Sequence, residues 1–116
     1  MHPLVEFIQN ENRRRREVRH VGADTLPIRV TGPPEKNAIH IETPPDVLLQ
    51  MKHLLDRHKI ETTGKLSRVI THELAGGRQG TTQHWIYTVD SRQSSQNKEL
   101  VDSAHQHGIV TETKRK

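Results

Sequence analysis

At 116 residues, 30% hydrophobic and with a mean hydropathy of −0.84, the chain has room for one domain with an appendage around a small core, which leaves surface for a homodimer or another partner. The absence of cysteine excludes a disulfide framework and a thiolate metal site, and with no bilayer-length apolar run or secretory signal a soluble, cytoplasmic protein away from any membrane is expected. A net charge of +4, from 18 basic against 14 acidic residues, favours a polyanionic partner only mildly.

Residues 1–20 begin apolar, with Leu4, Val5, Phe7 and Ile8, and turn basic at Arg13, Arg14, Arg15 and Arg16, followed by Arg19 and His20. This reads as a helix or arm, docked at its start and solvated after. Four consecutive arginines point all round a helix, so at least two face solvent, where they can neutralise phosphates. The alternative is a solvated helix end whose arginines pair with Glu11 and Glu17. Ile28 and Val30 then alternate with Arg29, and Gly32-Pro33-Pro34 stops the run. Pro27 argues for an edge strand, and a boundary near Thr31 to Lys36 separates the basic part, 1–36, from a small domain, 37–116.

Ile39 and Ile41 alternate with His40 and Glu42, the signature of a half-buried strand. A helix follows. Thr43 is placed to cap it, Pro44 suits its first position, and Asp46 completes a capping-box spacing. Val47, Leu48, Met51, Leu54 and Leu55 form its apolar stripe. Beyond it, strands near 66–74 and 82–90 flank the glycine-rich loop Ala75 to Thr81, although Leu66, Val69, Ile70 and Leu74 also fit helical spacing. Trp85, Tyr87 and Val89 alternate with Ile86 and Thr88. Ser94 or Ser95 caps a last helix carrying Leu100, Val101 and Ala104, Gly108 ends it, and Ile109 to Thr111 reads as a strand.

His58-Lys59-Ile60 and His107-Gly108-Ile109 end the two helices alike, a weak internal repeat implying two strand–helix–strand halves. Residues 37–116 are thus expected to form an α+β, ferredoxin-like β-α-β-β-α-β sheet, four-stranded and antiparallel, with both helices on one face. If Ile39, Ile41 and Ile86 face the helices, His40, Trp85 and Tyr87 lie on the open face. There the aromatics would stack unpaired bases while Arg68, Arg78 and the arginine arm bind phosphates. The architecture is similar to RNA-recognition-motif domains, whose aromatic and glycine signature this strand lacks.

The run I39-H-I-E-T-P-P-D-V-L-L-Q-M-K-H-L-L also resembles the strand and first helix of ribbon–helix–helix DNA-binding regulators, with S67-R-V-I-T-H-E-L as second helix and a core at 38–75. The resemblance implies a dimer that reads DNA through Ala38, His40 and Glu42. Enzyme signatures are missing: there is no nucleophile elbow and no phosphate-cradling glycine loop before a helix. A hairpin symmetric about Arg78 would set His72 opposite His84, two ligands without a third, so no metal and no cofactor is expected. The expected function is a non-enzymatic, regulatory nucleic-acid-binding module for single-stranded RNA or DNA. The alternative is a protein-interaction or inhibitor module, of phage-encoded or immunity type, that binds an acidic protein surface.

Overall fold

The computed structural model describes residues 1–17, 26–32, 37–73 and 75–111, with the backbone alone for 66–68, 70, 72, 73 and 75. Among them lie three helices, α1 (Pro3–Glu17), α2 (Leu48–Arg57) and α3 (Ser95–Gln106), and five strands. The strands are β1 (Arg29–Thr31), β2 (Ala38–Thr43), β3 (Thr63–Glu73), β4 (Gln79–Asp90) and β5 (Val110–Thr111), in sheet order β3-β4-β2-β1-β5. The fold class is α+β, and no described helix is long and apolar enough to cross a membrane.

Side-chain parity sets the layers. Val30 pairs with Ile41, Ile41 with Tyr87 and Ile39 with Val89, so these five share one face of the sheet. They join Leu4, Val5 and Ile8 of α1, Met51 and Leu55 of α2, and Leu100, Val101 and Ala104 of α3 in a single core. All three helices therefore cover the same face. The segment expected to be a basic arm supplies part of this core, and His2 caps α1 by accepting the Leu4 N–H at 3.1 Å on Nδ1.

The two helix exits match. Ile60 N–H donates to Leu55 O at 2.9 Å and Ile109 N–H to Ala104 O at 3.2 Å, each closing a Schellman turn through a left-handed residue, Lys59 (φ 57°) or Gly108 (φ 69°). Ser94 caps α3 through the Asn97 N–H, as the sequence suggests. Thr43 caps nothing: it is buried at the end of β2, a single 3-10 turn (Pro45–Val47) intervenes, and neither that turn nor α2 has a side-chain cap.

Four expectations change. The strand at residues 29–31 is internal, not an edge: it pairs antiparallel with β2 and parallel with β5, because Pro27 stops short of the ladder and costs it no hydrogen bond. The sheet thus has five strands, with β1 inserted where β5 would have met β2. Residues 63–73 are extended, with one irregularity between Leu66 and Arg68, so the second helix of the ribbon–helix–helix reading does not form. β2, with neighbours on both sides, has no free edge for a dimer ribbon. The hairpin turns near Gly76 rather than Arg78, pairing His84 with Arg68 and His72 with Gly80, so the two histidines are not opposite.

Candidate nucleic-acid interface

Trp85 and Tyr87 stand on the helix side, because Tyr87 shares the parity of buried Val89 and pairs with Ile41. Tyr87 is buried, and burial together with the nearby Asp56 carboxylate raises its pKa. The Trp85 ring meets Tyr87 edge to face, with centroids 6.4 Å apart, and its indole nitrogen lies where a Cβ on Gly64 would project. Gly64 thus leaves the room that the indole occupies against β3. Ile86, expected to face inward, takes the opposite face with Glu42. The two aromatics therefore do not share the open face with His40, where a stacking platform was expected.

What the other face offers is polar. His40 is exposed, and its Nδ1 lies 2.9 Å from Thr88 Oγ1; Arg29 and Lys65 are exposed on flanking strands. Register sets Arg29 opposite Glu42, which is held 2.7 Å from His84 Nδ1, and Lys65 opposite Ile86. No described helix lies on this side. Arg29 and Lys65 were not singled out from the sequence as residues of this face, yet the alternation of Arg29 with Ile28 and Val30 carries the signal for the first. Lys65 stands one residue outside the expected strand.

The arginine run divides by role. Arg15 is buried: it donates to Leu26 O at 2.7 Å and pairs with Asp46 at 2.5 Å and Glu11 at 3.4 Å. Its expected part in ligand binding is thereby corrected, since a guanidinium enclosed by two carboxylates and a carbonyl holds α1 to the 3-10 turn ahead of α2. Arg14 is exposed and pairs with Glu11, as the solvated-helix alternative anticipated. Arg13 and Arg16 are exposed and, three apart, line one groove with Ile8, Gln9, Asn12, Ile28 and Ile109. Asn12 fixes that groove, donating to Ile28 O at 2.9 Å and accepting from Ile28 N–H at 2.8 Å. Arg78 is exposed at the hairpin turn; Arg19 and the side chain of Arg68 lie outside the described residues.

No group of three or more metal-ligating side chains occurs among the described residues. Comparison with known protein families, with curated proteins and with solved structures finds no match for this chain.

Proposed function

We propose that the chain is a non-enzymatic nucleic-acid-binding module of ferredoxin-like type, elaborated by one inserted strand, that grips the phosphate backbone rather than stacking bases. The observation that carries this reading is the sheet face that no described helix covers, on which Arg29, His40 and Lys65 are exposed while the acids Glu42 and Asp90 are engaged by His84 and Arg92. On the helix side, Arg15 anchors the end of α1, so that the exposed Arg13 and Arg16 are presented on a fixed helix.

Fluorescence anisotropy of a labelled single-stranded oligonucleotide across a salt series tests the reading. Binding is expected at low salt and is lost as salt rises; Arg29→Ala and Lys65→Ala each lower the log–log slope by about 0.7. Trp85 emission stays constant through the titration, because the indole is on the other side of the sheet. Absence of binding at low salt overturns the proposal.

A second reading, a protein-interaction module, is favoured by β3. This 11-residue strand ends the sheet with no described strand beyond it, and Val69 on it is 53% exposed. An extended acidic segment of another protein, or β3 of a second copy, can complete such an edge.

A further inference from the structure

We infer that the groove between α1 and the Ile28–Ile109 side of the sheet is a subsite for the phosphomonoester of a nucleotide, free or at the end of a strand. This names the ligand class for the arginine end of α1 and so rests on the nucleic-acid reading above. Three features converge on it.

The first is spare charge. Glu11 is taken by Arg14 and Arg15, and Asp46 by Arg15, which leaves Arg13 and Arg16 with no acidic partner among the described residues. No acid is among the residues that line the groove. The second is shape. The groove holds about 390 Å³, within the range of small-ligand sites, and half-buried Ile109 gives it an apolar contact for a base or sugar above the buried Ile8 and Ile28. The third is rigidity: Asn12, between the two arginines and the sheet, uses both amide atoms on Ile28, so the groove is formed before any ligand arrives.

Two guanidinium groups one helical turn apart match a terminal phosphate, whose charge approaches −2 at neutral pH, better than a diester with a single charge. Gln9, half-buried in the same lining, is a further polar contact for a nucleotide.

The test compares three probes by calorimetry or anisotropy: adenosine monophosphate, a 5′-phosphorylated oligonucleotide and the same oligonucleotide with a 5′-hydroxyl. The phosphorylated strand is expected to bind roughly tenfold tighter than the hydroxyl form, the change that about 1.4 kcal/mol produces. Arg13→Ala with Arg16→Ala, and separately Gln9→Glu, erase that preference and the monophosphate binding while leaving the melting temperature unchanged. Equal affinity for the two strands, with no monophosphate binding, overturns the groove alone and leaves the nucleic-acid reading intact. Monophosphate binding abolished by Gln9→Glu, in a chain that holds neither oligonucleotide, supports the groove and overturns the nucleic-acid reading. A preference that survives the double arginine variant places the phosphate elsewhere and overturns the inference.

Discussion

Asn97 is fully buried, and its amide makes three hydrogen bonds to main chain: Nδ2 donates to Glu61 O and Asp90 O, each at 2.9 Å, and Oδ1 accepts from Glu61 N–H at 2.8 Å. One side chain thereby ties the exit of α2 to the end of β4. Asn97→Ala leaves two carbonyls and one N–H without partners and is expected to destabilise the fold by about 3 kcal/mol, read from urea denaturation; Asn97→Asp, which cannot donate, costs a similar amount. His2 gives a pH dependence. Burial, and next the charge of His58, whose ring centroid is 5.3 Å away, lower its pKa below 6.5, although Glu99 opposes them. The unfolded chain therefore binds the proton more readily than the folded one. The contribution of His2 to stability is complete above pH 6.5 and is lost as pH falls through the lower folded value. Protonation also removes the Nδ1 acceptor that caps α1. Hydrogen exchange at the Leu4 amide is expected to quicken over that range, after correction for intrinsic rates, and His2→Asn, which keeps an N-cap acceptor, removes the effect.

Elements that depend on local chemistry were legible in the chain. The α2 stripe, the Ser94 cap, the Gly108 exit and the paired His-x-Ile endings are each fixed by neighbours within a few residues, and each is present. The matched exits differ in one respect: Lys59 occupies a left-handed conformation that Gly108 adopts without steric cost. Lys59→Gly is expected to stabilise the protein by about 1 kcal/mol and Gly108→Ala to destabilise it by a similar amount, measured as shifts of opposite sign in the thermal midpoint. What failed were choices that depend on distant partners. For β4 the alternation was read correctly and its face inverted; the buried Val89, two residues on from Tyr87, held the answer, because Ile86 is the one large apolar residue of the other parity between Thr82 and Asp90. The role of Arg15 was illegible, since nothing local announces that Asp46, 31 residues away, will meet it.

At the scale of the whole molecule, α1 shares one core with α2, α3 and the sheet, so the described parts should melt together. Trp85 fluorescence, which reports the sheet beside α2, and far-UV circular dichroism, which reports all three helices, are expected to give coincident denaturation curves; an earlier loss of helical signal would mean that α1 detaches alone. The candidate interface was half legible at this scale. Positive charge at the end of α1 and on the sheet could be read from the chain, but assigning it to faces required the strand order, and the insertion of β1 between β2 and β5 had no local signal.

That insertion governs how the molecule is put together in time. Val30 finds one neighbour, Ile41, within a dozen residues, whereas its other, Val110, is translated eighty residues later. A nascent chain emerging from the ribosome must therefore hold β1 with one flank unpaired until β5 has been made. Productive closure waits for the last described strand, and a chaperone that shields extended segments would find its target in that interval.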